Sequence, residues 1–368
     1  MSAPFPCPDP QAHPPLDEAA LRRRGRAEMR RVLWLLLAGI IPAAFTVAMV
    51  TEARPFAWSE GEKNPTPFGY TYSLGMFLVP CFVFGLWLLR LKWNQPEAKA
   101  FTVCLVVLPL LGFLLDLGFA SLFLEFPNRE ATLQWMIPGM KWSPLGWGFP
   151  IPVEEFVFYI SGFICVLALY VWASEVWCEK YQVQDAYRKI GPARKLVRWH
   201  PWALLVGAGL VALACAWKFL GPHAWREGFP GYFTFLVAVS VAPTILLLGV
   251  SVAYINWQAF SLALFYVLAL SILWEALLGV PYRWWGYEEA QMVGLYVLPA
   301  SRLPIEAVLV WIAVTWTTVS LYEACHLWYS LTPPERHELL HGTAGLRHIA
   351  PAYARAKNLP PASEPPRP

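Results

Sequence analysis

Long apolar stretches alternate with short polar ones along the whole chain, and the stretches have the length of membrane helices. About 20 mostly apolar residues cross the hydrocarbon core, and windows of that kind fall at 32–51, 70–92, 101–125, 151–173, 201–220, 231–256, 257–279 and 303–324. The sixth and seventh meet at Tyr254-Ile255-Asn256-Trp257 with almost no loop between them. The pattern predicts an all-α integral membrane protein of about eight transmembrane helices, with no strands to speak of. Lys and Arg are sorted by loop. Most of the 28 fall on the side of the termini, among them Arg22, Arg23, Arg24, Arg26, Arg30 and Arg31 ahead of the first span. The positive-inside rule then puts both termini in the cytoplasm, as expected for a multi-pass protein of a cell inner membrane. Residues 1–31 and 325–368 read as cytoplasmic tails, with Pro-rich disordered ends at 1–16 and 359–368, and 174–200 as a cytoplasmic linker. The Arg-rich leader runs straight into a polytopic chain, unlike a cleaved signal peptide.

Composition agrees with that reading and removes other classes. Of 368 residues 57% are hydrophobic and 14% charged, against roughly 25% charged in soluble domains, which excludes an ordinary soluble enzyme. Seven cysteines without a CxxC pair argue against a disulfide framework or a cysteine-rich zinc site. A net charge of +3 with no basic patch gives no reason to expect nucleic acid. The 20 Trp, 15 Tyr and 22 Phe exceed what membrane anchoring requires, which matters for the chemistry below.

The chain repeats itself. In 32–173 an acid late in the third span, Asp116 in Leu114-Leu115-Asp116-Leu117, precedes an aromatic loop and then Ile151-Pro152-Val153-Glu154-Glu155. In 201–324, Glu275 in Trp274-Glu275-Ala276 precedes Tyr282-Arg283-Trp284-Trp285-Gly286-Tyr287, and then Leu303-Pro304-Ile305-Glu306-Ala307. An even number of spans in each half gives both the same orientation, so the expectation is two parallel-oriented four-helix repeats. Carboxylates in spans cost about 2.5–3.5 kcal/mol at the bilayer centre and less near its edge, so they usually face a bundle interior and have a function. The plainer account is that Pro followed by Glu is an ordinary helix start, with the carboxylate beside free N–H groups. Its recurrence, each time after an acid in the preceding span, favours function. For Glu155 the plain account is stronger, since adjacent helix residues point about 100° apart and need not share a pocket with Glu154.

Pro152-Val153-Glu154-Glu155-Phe156-Val157-Phe158 and Leu303-Pro304-Ile305-Glu306, each preceded by an acid in the previous span and a Trp-rich loop, resemble the membrane-embedded lycopene cyclases of bacteria, archaea and fungi. The resemblance covers roughly 32–324 and takes the fused two-domain form. It departs at Ala307, where the family usually shows a second acid, and at Glu275, where Asp is usual. The family's reaction closes the linear end of lycopene into a ring without net redox change. A proton adds to the terminal C=C, an internal double bond attacks the tertiary cation, and a neighbouring carbon loses a proton. An alkene is a poor base, so the donor is a carboxylic acid kept neutral, which burial and a like-charged neighbour promote. The resemblance implies catalytic roles for Glu154, Glu155, Asp116, Glu306 and Glu275, with Glu154 as donor and the base among Glu155, Asp116 and Glu306. Trp142, Trp147, Phe158, Trp284, Trp285 and Tyr287 are the candidate cation-stabilising rings, since a ring face attracts a cation without offering a lone pair. A Trp/Tyr belt at the membrane surface is the plainer account of any one of them. The expected ligand is a linear carotenoid in the bilayer, the expected associates are carotenoid-building enzymes, and no metal or redox cofactor is expected; no GxGxxG follows a strand.

Two other classes compete. His337-Glu338-Leu339-Leu340-His341 matches HExxH, the helical zinc-protease motif, but Pro333-Pro334 and Gly342 leave it about two turns in a tail. Internal repeats with intramembrane acids also describe proton-coupled transporters. Against that class stand the acids' places at helix starts, the wealth of aromatics and the lack of basic groups in the spans.

Overall fold

The computed structural model describes residues 34, 66–88, 95–139, 150–178, 196–221, 227–298, 303–330, 333, 336 and 340. The first predicted span, Trp34 apart, Trp142, Trp147 and the His337–His341 motif, Leu340 apart, lie outside the described residues. Seven long helices are described: α1 Gly69–Leu88, α2 Gln95–Phe123, α3 Val153–Trp172, α4 Trp202–Leu220, α5 Gly231–Tyr254, α6 Trp257–Trp274 and α7 Ile305–Ser330. The last six are long and apolar enough to cross a membrane, and α1 is apolar over Gly69–Val83. The break between α5 and α6 is two residues. Ile255 is extended, and the Asn256 side chain accepts the Ala259 N–H at 3.2 Å, which caps α6. Pro109 and Pro243 sit inside α2 and α5, as membrane helices tolerate.

The expectation of no strands is corrected. The loops hold β1 Leu124–Glu125, β2 Met136–Pro138, β3 Pro150–Pro152, β4 Gly286–Tyr287, β5 Tyr296–Leu298 and β6 Leu303–Pro304, paired as β1–β4, β2–β3 and β5–β6. They exist to finish helices. The Val153 N–H that opens α3 donates to the Trp135 carbonyl at 2.9 Å, and the Ile305 N–H that opens α7 donates to the Leu295 carbonyl at 2.8 Å. Free N–H groups at a buried helix start need such acceptors nearby.

Several details recur at one constant offset along the chain. Asn128 N–H donates to the Arg283 carbonyl while Glu288 N–H donates to the Phe123 carbonyl, a reciprocal exchange across the β1–β4 ribbon. Left-handed backbone appears at Phe68 and Gly228, and again at Gln134 and Gly294. Phe68 and Gln134 hold a conformation that only glycine takes at low cost, so the loop path is enforced by its surroundings.

In lipid, helices associate by close packing rather than by hydrophobic transfer. A Cβ at Gly112 would lie 2.8 Å from the Phe163 ring, so α2 meets α3 ring-on-backbone, and one at Gly279 would lie 2.2 Å from the Trp285 ring. α5 packs on α7, and α2 on α3 and α7. α4 is peripheral and presents Leu205, Leu213 and Leu220 outward.

Candidate active site

The ends of α2 and α6 and the starts of α3 and α7 lie at the ribbon end of the bundle, so their acids converge. Asp116, Glu154, Glu155, Glu275 and Glu306 are all 5% exposed or less. They divide into two kinds.

Glu154 and Glu306 face the loops. Glu154 Oε1 accepts the Leu133 N–H at 2.6 Å and the Thr71 hydroxyl; Glu306 Oε1 accepts the Val293 N–H at 2.7 Å. In each, Oε2 is buried with no hydrogen-bond partner among the described residues. Glu306 has a cation in reach as well: Lys218, at the end of α4, donates from Nζ to the carbonyls of Ala290 at 2.5 Å and Met292 at 2.7 Å and lies within electrostatic range of Glu306. The spans were expected to hold no basic group, and Lys218 corrects that. Its ammonium is spent on the loop.

Glu155, Asp116 and Glu275 face the interior. The helical step of about 100° turns Glu155 away from the loop that Glu154 holds. Its Oε2 accepts the Tyr70 hydroxyl at 2.7 Å, and it lies within electrostatic range of both Asp116 and Glu275. Asp116 keeps Oδ2 without a hydrogen-bond partner among the described residues. Glu275 opens a π turn, Glu275–Gly279, that ends α6; such an inserted residue re-aims side chains and is frequent at functional sites. Glu275 accepts hydroxyls from Ser271 and Tyr287. The indoles of Trp285 and Trp311 border it, the Trp311 N–H falling short of hydrogen-bond geometry. In β4, outside the spans, burial first and then the Glu275 carboxylate hold the Tyr287 phenol well above its usual value, so it remains a donor.

Aromatic rings enclose this interior group. Trp285 lies 4.9 Å from Tyr70 and 5.6 Å, edge-on, from Trp274; Phe158 lies 5.2 Å from Trp274 and 5.6 Å from Trp311. Trp284 is fully buried, stacked on Tyr70 at 6.4 Å, with its N–H on Thr66 at 3.0 Å. Trp284 and Trp285 are therefore interior residues and not a surface belt. Tyr287 stacks on Tyr232 at 6.4 Å. Asp116 is the one charged residue in the wall of an apolar cavity of about 50 Å³, which Phe119, Tyr159, Phe163, Tyr232 and Leu236 also line.

No known family, curated protein or solved structure matches the chain. The site is read from its own geometry.

Tyr70, Tyr159, Tyr232, Trp274 and Trp311 were not among the residues singled out by sequence. Tyr159 carried a signal, one turn after Glu155; Trp274 carried another, next to Glu275. Tyr70 and Tyr232 sit at the starts of distant helices, and no local pattern marks them. A second buried polar group was missed at the other end of α7, where Glu323 and His326 are 0% exposed and the Tyr170 hydroxyl donates to Glu323 Oε1 at 2.6 Å. Among the described residues no three His, Cys, Asp or Glu side chains gather to hold a metal.

Proposed function

We propose that the protein is a cyclase of linear carotenoids, acting on lycopene and built from two parallel-oriented four-helix repeats with both termini in the cytoplasm. The observation that carries this is that Asp116 and Glu275 both lie buried within electrostatic range of Glu155, beside a wall of aromatic rings. A carbocation reaction needs a proton donor, a proton acceptor and surroundings that cannot capture the cation, and this interior offers all three. The reciprocal bonds between Phe123, Asn128, Arg283 and Glu288 support the repeat.

In the proposed reaction one carboxyl of the Asp116–Glu155 pair carries the proton and the other is ionised. The O–H bond breaks as a C–H bond forms at the terminal alkene carbon, leaving a tertiary cation. The internal double bond supplies the electron pair that closes the ring and moves the charge to a ring carbon. A carboxylate then takes the proton from the carbon next to it, and a new C=C forms; no electron leaves the system. The faces of Trp285, Trp274 and Phe158 stabilise the cation by about 2 kcal/mol or more each once water is excluded. Glu154 secures the loop at the Leu133 N–H beside the pair, while Tyr70 orients Glu155.

Expression in cells that accumulate lycopene tests the reading. A cyclic carotenoid by pigment chromatography is the expected result, and its retention names the ring. Unchanged lycopene, with the protein present in the membrane, contradicts it.

The buried Glu323–His326 group favours one alternative, a proton-coupled transporter, because it places ionisable groups at both ends of α7. Uptake of a substrate driven by a pH gradient in vesicles, with no change to a carotenoid, would support it.

A further inference from the structure

The cavity beside Asp116 is too small for the ring it would have to hold. Its 50 Å³ compares with the ~150 Å³ that accommodates benzene in an apolar protein cavity. A much larger space lies next to it. Between α4, α5 and α7 runs an apolar groove of about 600 Å³, whose wall includes Leu213, Trp217, Phe233, Val237 and Leu309 and, among the described residues, no charged side chain. That volume falls inside the ~300–1,000 Å³ range of small-molecule sites. Its rim is lipid-facing: Leu213 is 68% exposed.

The two spaces share a wall. Leu236 lines both the Asp116 cavity and the groove, and it is 4% exposed. Two faces of α5 line the two spaces, Tyr232, Phe235 and Val239 facing the cavity and Phe233, Val237 and Ser240 the groove. On α7, Val310, Ala313 and Val314 face the cavity while Leu309 and Ile312 face the groove. Leu236 thus stands between an exposed apolar trough and a small cavity that holds a carboxyl.

We propose that the α4–α5–α7 groove seats the polyene chain of the substrate and that Leu236 is the gate through which its linear end passes into the Asp116 chamber. The proposal rests on the cyclase reading and commits to one occupant, a long unbranched-backbone apolar polyene. A chain without polar groups suits a groove with no charge in its wall, and its hydrocarbon mouth lets such a chain arrive from the bilayer without meeting water. A rotamer change at Leu236 joins the two volumes, which gives room for the folded end that the chamber alone lacks. Its size at this position then determines how bulky an end group is accepted.

The test uses the full chain in lycopene-loaded membranes, with a benzophenone amino acid in place of Leu213 in the groove or of Leu205, 75% exposed on α4 and outside it. After illumination, mass spectrometry is expected to find a pigment adduct at position 213 at least tenfold above position 205. Leu236→Trp is expected to keep the adduct at 213 while lowering cyclic product at least tenfold, because the chain still binds and its end no longer passes. Equal adducts at the two positions, or undiminished cyclisation in Leu236→Trp, would overturn the proposal. The position 213 to 205 comparison is made in the chain with Leu236 intact, so a folding defect of the Trp variant leaves it decisive. An adduct at 213 without any cyclisation by the unaltered chain would keep the groove and remove the cyclase reading.

Discussion

The start of α3 and the start of α7 are built alike and equipped differently. Each follows a short ribbon, each begins after a proline, and each sends a glutamate back to a loop N–H, Glu154 to Leu133 and Glu306 to Val293. One residue further on they part. Glu155 enters the bundle, accepts the Tyr70 hydroxyl and lies within electrostatic range of Asp116 and Glu275, whereas Ala307 packs with Ala276 and Leu303 in a small apolar cluster. Glu306 also has Lys218 beside it. The comparison separates two jobs that the sequence motif presents as one: the first glutamate of the motif secures the loop, and the second residue decides whether the helix start carries chemistry. Under the proposed function the second half contributes Glu275 and the Trp284–Trp285 pair to the site, and its own helix start is scaffold.

The largest expected effect comes from Glu155→Gln, which keeps the side chain's shape and removes its acid. Cyclic pigment per unit of membrane protein is expected to fall by about 10²-fold or more, the scale of a lost acid–base group, with insertion unchanged. A smaller loss from Glu155→Gln than from Glu154→Gln would invert the division drawn above. Gly279→Ala should come next: a methyl group 2.2 Å from the Trp285 ring forces the indole to move, costing about 1–3 kcal/mol, read as a lower unfolding midpoint in detergent together with reduced turnover. Glu306→Gln is expected to act on stability instead, by about 1–3 kcal/mol for a charged hydrogen bond, while cyclisation continues. Lys218→Met should reproduce that loss of stability, and the two changes together should cost less than their sum.

The smallest effect concerns the β1–β4 ribbon outside the spans. Burial first, then the hydrogen bond and charge of Glu288, hold Glu125 above the usual carboxylate range, with Arg283 pulling it down. Because the folded value is raised, the ribbon is most stable below the unfolded carboxylate value of ~4.3 and loosens as pH climbs through the raised one. Amide hydrogen exchange around Leu124 to Phe126 should therefore quicken over that window by more than base catalysis of exchange accounts for. Glu125→Gln should remove the excess.

Much of the fold was legible because membrane spans announce themselves over about 20 residues. The described helices match seven of the eight predicted windows to within a few residues at most ends, including the two-residue break at Ile255-Asn256; α2 begins earlier at Gln95, and α7 continues to Ser330. The ribbons were not legible, since strands of two or three residues are too short to show an alternating pattern. Within the candidate site, Asp116, Glu275, Trp284 and Trp285 were expected from the sequence pattern, and all four are buried. The opposed duties of Glu154 and Glu155 could not, because they depend on where Leu133 and Tyr70 arrive from other parts of the chain. Lys218 looked like the flank of a span, and only the loop carbonyls of Ala290 and Met292 explain its burial.

Under the proposed function lycopene is cyclised, and Glu155 at the start of α3 supplies the acid–base group. Pigment chromatography of lycopene-accumulating cells expressing the unaltered chain, Glu155→Gln or Glu306→Gln, at matched membrane levels, tests both parts in one experiment. The account predicts a cyclic carotenoid from the unaltered chain, its loss with Glu155→Gln and its persistence with Glu306→Gln. Lycopene left unchanged by the unaltered chain would contradict the reaction, and a cyclic product that survives Glu155→Gln but not Glu306→Gln would contradict the site.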